Sequence, residues 1–260
     1  MINNFIKKIT FININNFSFS HLNHNLTKKK KNSLKIFFKR EILNSTVGEV
    51  FFYGGARMGI YSLMKYLNIK KKDEVIVTAF TCSVVINAIK KFRCNIIYAD
   101  IDPSTLGTCP KDVKKKITHN TKLIIAQHSF GIPCDIKKIM QMAKKKKIFV
   151  LEDCAISVCS SIKKRNIGTF GHGSIFSFDH TKPINCFVGG ALYVKDRKII
   201  SFLRKQEANL ESFSVDKIKK MAQRFKFENY FCNFSNYRKY IFFNKIFNLV
   251  NKYGISPYLD

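Results

Sequence analysis

No stretch of this sequence approaches the roughly 20 consecutive apolar residues that a membrane-spanning helix needs, so no membrane span is expected and the chain reads as soluble. None of the eight cysteines, at positions 82, 94, 109, 134, 154, 159, 186 and 232, forms a C-x-x-C pair. With no second Cys/His cluster at zinc spacing either, the common zinc and dithiol motifs are excluded and no metal is expected. The cysteines read as small apolar fillers kept reduced in a cytoplasmic compartment. Acidic residues are scarce, 17 Asp and Glu against 46 Lys and Arg, for a net charge of +29. That excess invites a nucleic-acid partner. However, no nucleic-acid motif accompanies it, and the cations are mostly lysines in short runs such as Lys28–Lys31 and Lys144–Lys147. Lys, Asn, Ile and Phe are enriched together, as AT-rich codons would produce, and lysine runs at helix ends are ordinary solvated caps. No nucleic-acid partner is expected. No acid precedes Glu41. A transit peptide shares that feature, but Arg and Ser are scarce here and no h-region or cleavage site is visible. Residues 1–46 therefore read as a basic leader, poorly ordered or helical.

What the chain does contain is a hydrophobic fraction of 46% over 260 residues, enough for one large α/β domain or two small ones. From about residue 50 short apolar runs of strand type alternate with helical patterns. The strand runs are Glu74–Thr78, Asn95–Ala99, Lys122–Ala126, Ile148–Leu151, Ser174–Phe178 and Ala191–Val194. In Arg57–Leu67, Ile60, Leu63, Met64 and Leu67 share one helical face; in Asp135–Lys145, Ile136, Ile139, Met140 and Ala143 do so behind Asp135 as N-cap. This alternation predicts an α/β fold, a mostly parallel sheet with helices on both faces over residues 47–200. Residues 201–260 become helical, basic and aromatic, as at Phe225–Phe227 and Tyr237–Phe243.

Chemistry in such a fold collects at the carboxyl ends of the strands. Gly54-Gly55-Ala56-Arg57 opens a helix, where unpaired N–H groups can bind a phosphate, although a glycine turn before a helix is more often only a turn. The strand Ile148–Leu151 runs into Glu152-Asp153, placing a carboxylate at the sheet edge; a helix N-cap would look the same. Lys182 follows the strand ending in Phe178 and precedes Pro183 and Gly189-Gly190. A lysine in such a loop can be desolvated, which lowers its pKa and makes it a nucleophile and proton carrier. His128-Ser129-Phe130-Gly131 follows another strand end, where a structural histidine in a tight turn is the plainer alternative.

The ordered series FFYGGARMGIYSL, KKKDEVIVTAFTCSVVINAI, YADIDPSTLGT, TKLIIAQHSFGIPCDI, VLEDCA, IGTFGHGSIFSF, then TK and GGALYV, spans roughly residues 50–196. It resembles the DegT/DnrJ/StrS family of pyridoxal 5'-phosphate (PLP)-dependent sugar aminotransferases. The resemblance implies a fold-type I large domain with a mostly parallel seven-stranded sheet, Gly190–Val194 being its antiparallel strand. It implies that Lys182 forms the Schiff base with PLP and shuttles the proton, and that Asp153 pairs with the pyridine nitrogen. By the same carry-over, Ser177 and the backbone amides around Ala56, Arg57 and Met58 hold the phosphate, with Cys82 and His128 also at the cofactor. The implied reaction is transfer of an amino group from glutamate to a nucleotide-linked keto-sugar for polysaccharide biosynthesis, in a homodimer. Departures from the family pattern accompany it. Cys82 stands where an aromatic usually stacks on the ring, so that Phe80 or His128 would have to compensate. Ile156 replaces the Gln or His that bonds the ring hydroxyl, and Arg57 replaces a small residue. The chain also ends at Asp260, where the family's small domain would begin, so that 201–260 reads as its truncated start. These departures keep open a catalytically impaired PLP- or sugar-nucleotide-binding protein. His180, beside an intact Lys182, keeps open a PLP-dependent sugar dehydratase.

Overall fold

The computed structural model describes residues 28–210 apart from 180, 185 and 187, together with 214, 216, 217, 220 and 223. His180, the aromatic C-terminal stretches and the first part of the basic leader lie outside the described residues. Leu26–Glu211 forms one compact unit. Helix α1 (Lys28–Phe37) and a π-helical turn (Phe38–Ile42) lead into β1 (Glu49–Tyr53) and α2 (Ala56–Tyr66). Then follow β2 (Glu74–Thr78), α3 (Ser83–Lys90), β3 (Asn95–Ala99), α4 (Pro110–Lys116), β4 (Thr121–Gln127), α5 (Ile136–Lys146) and β5 (Phe149–Asp153). A two-residue ribbon, β6 (Ser161–Ile162) and β7 (Arg165–Asn166), precedes β8 (Gly173–Ser177), β9 (Gly190–Val194) and α6 (Arg197–Ala208).

The main sheet has seven strands in the order β1-β9-β8-β5-β4-β2-β3. Strand β9 runs antiparallel to both its neighbours, and the other pairings are parallel. The expected α/β fold, with its single antiparallel strand at Gly190–Val194, is therefore present. Helices cover both faces, so the inner strands alternate between two cores rather than between core and water, while the edge strand β3 leaves Asn95 and Tyr98 exposed. Val75, Val77, Leu123, Ile125, Leu151, Ile175 and Leu192 face a cluster built with α2, α3 and α6. Ile76, Ile124, Ala126 and Val150 face a second cluster built with α5 and with Val113 of α4. Asp135 caps α5 as its sequence position predicts, its carboxylate accepting from the Lys138 N–H at 3.2 Å.

The π turn carries Phe38 into a third cluster, where its ring meets Phe176 edge-on at 5.2 Å. Lys35 of α1 reaches Glu207 of α6 at 2.7 Å, and Arg204 reaches Glu49 of β1 at 2.6 Å. The first pair ties α1 to α6 and the second ties α6 to β1, while Lys35 also lies 3.7 Å from Glu49 of β1. Among the described residues no helix is long and apolar enough to cross a membrane.

Candidate active site

The alternation along the strands decides which polar side chains meet. Asp153 shares parity with Leu151, so it projects to the α2/α3 face at the carboxyl end of β5. Gln127 is its ladder partner at the end of β4, and Ser177 continues the same face of β8 from Ile175. Ser177 pairs in turn with Gly190 of β9. The N-terminus of α2 rests directly on that glycine, since a Cβ added to Gly190 would lie 2.2 Å from the Ala56 nitrogen. These elements enclose a cleft of about 290 Å³ to which Ala56, Arg57, Cys82, Asp153, Ser177 and Lys182 all contribute.

The α2 end of this cleft is suited to an anion. Gly55 is the N-cap with no side-chain cap bond, and the first turn carries no acid. The opening N–H groups and the helix dipole are therefore directed at whatever binds there. At the opposite end, Asp153 is 4% exposed and accepts the Ala155 N–H at 3.0 Å. Burial raises its pKa, while the Ala155 N–H, His128 and the Lys182 ammonium partly oppose that rise. A carboxylate so placed favours a cationic partner that would restore its charge. Lys182 is half-buried, and its backbone N–H bonds the Asp179 carbonyl at 2.9 Å. The walls between are apolar, with Ile60, Val85 and Ile175 among them.

Two of the residues assigned to the cofactor from sequence are not brought to the cleft. Met58 is more than one-third exposed, and its N–H already bonds the Gly55 carbonyl at 3.0 Å, so that amide is committed within the turn. His128 is fully buried away from the cleft. Its Nδ1 accepts the Cys134 N–H at 3.1 Å, which leaves Nε2–H to donate to Glu152 Oε2 at 3.1 Å. Glu152 itself follows Asp153's neighbour rule: one residue earlier on the strand, it projects to the other face. There it accepts the Gly168 N–H at 2.8 Å and the Gly171 N–H at 2.5 Å. The adjacent acids thus have different tasks, Glu152 organising a buried loop and Asp153 facing the cleft.

This division predicts a stability effect without a direct site effect. Glu152→Gln puts an amide NH₂ where N–H donors converge, so a donor faces a donor in a dry interior. The expected cost is about 2–4 kcal/mol, read as a lower urea midpoint with unchanged slope. A midpoint unchanged from the native chain would show that the carboxylate is not needed there.

The other expected residues are placed as follows. Cys82 is exposed at the N-cap of α3 and lines the cleft, and so does Ile156. Of the aromatic groups that might replace a stacking ring, Phe80 reaches the cleft and His128 does not. Gln127, which the sequence motifs did not single out, lines the cleft beside Asp153; its signal was a lone amide after the apolar run Leu123–Ala126. The buried trio His128, Glu152 and Cys154 has ligand atoms within 4.8 Å of one another, but the histidine and carboxylate are already occupied by the donors and acceptors just described.

A family model for the DegT/DnrJ/EryC1/StrS aminotransferase family matches residues 55–238. The GDP-perosamine synthase of Escherichia coli is 39% identical over 133 residues, which are 51% of this chain and 36% of that protein. The GDP-perosamine synthase of Vibrio cholerae is 33% identical over 133 residues, again 51% of this chain and 36% of that protein. Among solved structures, an aminotransferase from Psychrobacter cryohalolentis matches with a TM-score of 0.63 at 27% identity, over 66% of this chain and 43% of that one. DesI in the presence of its TDP-sugar product matches with a TM-score of 0.60 at 25% identity, over 66% and 44%. The chain thus spans well under half the length of these relatives.

Proposed function

This chain belongs to the DegT/DnrJ/EryC1/StrS aminotransferase family, and from that premise we propose that it is a PLP-dependent aminotransferase acting on a nucleotide-linked keto-sugar, with glutamate as amino donor. The observation that carries the reading is the convergence of Asp153, Ser177, Lys182 and the α2 N-terminus on one cleft. The GDP- and TDP-sugars in the relatives' names support the substrate class. A homodimer in the cytoplasm belongs to the same reading. The dimer is supported by Phe80 and Phe130, both more than half exposed with ring centroids 6.2 Å apart, Phe80 lining the cleft.

The residues present fit PLP. A buried carboxylate suits a protonated ring nitrogen, an uncapped helix end above a glycine suits a phosphate, and apolar walls suit a ring. When bound, PLP supplies an electron sink for the charge left as a proton leaves the substrate carbon. Asp153 would hold the ring nitrogen protonated by its own negative charge. Ser177 Oγ and the opening amides of α2 would hold the phosphate, and Ile60, Val85 and Ile175 would supply apolar walls for the ring. Lys182 would hold PLP covalently through its amine and, once free, would take the proton from the substrate carbon as base and return it as acid.

The test is borohydride reduction of the protein with PLP, followed by peptide mapping. A pyridoxyl label confined to Lys182 is expected. A label scattered over surface lysines would overturn the assignment, and a catalytically impaired binding protein would take its place.

Asp153 gives a second, pH-dependent expectation. Its folded-state pKa lies above the unfolded value, so the native state favours the neutral acid. The stability this contributes is present below the unfolded pKa, about 4, and is lost as pH rises through the folded pKa. Asp153→Asn removes that cost. Without PLP, the variant should melt above the native chain at pH 7 and no higher than it near pH 4. With PLP the order should reverse, because the ring nitrogen loses its counter-charge. Melting curves at both pH values decide the matter; an Asn variant less stable at pH 7 without PLP would refute the burial argument.

A further inference from the structure

We propose that the side chain of Arg57 is a specificity residue of the cleft, its guanidinium holding the phosphate of PLP beside the opening amides of α2. The assignment rests on the PLP reading above and deepens it. The family resemblance gives the phosphate only the backbone at this position and implies a small side chain there.

Arg57 is the second residue of α2, is half-buried and lines the cleft. A side chain in the first turn leans toward the helix N-terminus, because every Cα–Cβ bond tilts that way. Its Nε lies 3.7 Å from the point where a Gly55 Cβ would stand. The side chain therefore runs back past the N-cap, which sets the guanidinium at the helix end. That end is short of other donors. The Met58 N–H is committed to the Gly55 carbonyl at 3.0 Å, Ala56 brings only a methyl, and no side chain caps the helix.

A cation in the first turn of a helix is repelled by the dipole. An anion bound at that end reverses the sign, because the N–H groups and the guanidinium then face it together. Charge within the cleft favours the same arrangement. Among the described residues that line it, Asp153 is the only acid, and Arg57 and Lys182 are the cations. Lys182 acts on Asp153 and is assigned the covalent link. A phosphate monoester brings about two negative charges at neutral pH, and Asp153 adds another. Without Arg57 that phosphate would be met by dipoles alone. A guanidinium carries several N–H donors in a planar fork that matches phosphate oxygens, so it can serve the phosphate and keep a protein partner as well.

The test uses the full chain with pyridoxamine 5'-phosphate and with pyridoxamine. These ligands differ only by the phosphate and form no covalent link to Lys182, so their dissociation constants read the phosphate contacts directly. Arg57→Gln is expected to weaken binding of the phosphate ester about 10–100-fold, the worth of a charge-assisted hydrogen bond. Pyridoxamine binding should change less than about twofold, a fraction of one neutral hydrogen bond. Arg57→Lys keeps the stem and the charge but loses the fork, so it should weaken the ester only about 3–10-fold and leave pyridoxamine unaffected. That variant decides the matter should the glutamine variant lose its fold. Equal losses for both ligands would mean that Arg57 only supports the cleft wall, and would overturn the proposal. So would a native chain that binds both ligands alike. Native chain that favours the ester while Arg57→Gln matches it overturns this assignment only; native chain that binds neither ligand overturns the parent reading with it.

Discussion

Lys182→Ala is expected to lower transamination by at least about a thousandfold while leaving the fold intact. General acid–base transfer by a positioned side chain contributes about 10²–10⁴, and this lysine is assigned both proton transfers and the covalent attachment. The fold survives because Lys182 lies in an irregular, half-buried loop outside the hydrophobic clusters. PLP should still bind, more weakly, through the α2 amides, Ser177 and Asp153. Lys182→Arg separates charge from proton transfer. A guanidinium keeps the positive charge near Asp153 but stays protonated at any working pH, so it cannot act as base. The arginine variant should therefore be as inactive as the alanine variant. Single-turnover kinetics with unchanged far-ultraviolet circular dichroism is the measurement. An arginine variant within tenfold of the native rate would mean that the ammonium acts electrostatically only, and the proposed role would fail.

Gly190→Ala should produce the largest loss of stability among changes at the cleft. The added methyl would lie 2.2 Å from the Ala56 nitrogen, 2.6 Å from its Cα and 2.7 Å from the Gly55 carbonyl carbon. All three are backbone atoms, so no side-chain rotation relieves the contact and the helix end must lift off β9. Overpacking of this kind costs about 1–3 kcal/mol, which for a domain of this size lowers Tm by roughly 2–12 °C. PLP affinity should fall with it, because the proposed phosphate site is the same helix end. Gly55→Ala provides the control. A Cβ there would find only Arg57 Nε at 3.7 Å, and the backbone is extended with φ −176°, a conformation alanine adopts freely. Its Tm should stay within about 2 °C of the native chain, as for a change worth well under 1 kcal/mol. Equal losses in both variants would show that the demand for glycine lies in the turn and not in the contact with β9.

The comparison of those glycines shows where the chain was legible and where it was not. The run Glu74–Thr78 could be read to the residue because a strand covered on both faces needs apolar side chains at nearly every position, and Asn95–Ala99 was legible from its β-branched and aromatic residues although only Ala99 is buried. The short helix Pro110–Lys116 was missed because three of its seven residues are lysines in its last turn, and only Pro110 and Val113 are buried. The apolar run Ile148–Leu151 leads into Glu152-Asp153 in sequence, and in the structure the strand is Phe149–Asp153, with both acids inside it. That difference matters, because only inside a strand do neighbouring residues project to opposite faces. His128 was assigned to the cofactor by its place after a strand, yet it turns to the Glu152 face. Gln127, one residue earlier, holds the place beside Asp153.

By itself the sequence determined the α/β class, the order of the strands along the chain, the chemical types needed for a PLP site and the family resemblance. Each of these follows from local periodicity or from residue types at fixed spacing, which a linear string retains. Tertiary structure alone decided which face each strand-end side chain takes, that Glu152 organises a loop while Asp153 faces the cleft, and that Gly190 rather than Gly55 carries the close approach. These outcomes depend on register, helix docking and contacts between residues more than a hundred positions apart, such as Gly190 and Ala56. No local pattern records such contacts, because the energy that selects them arises only when the surfaces meet.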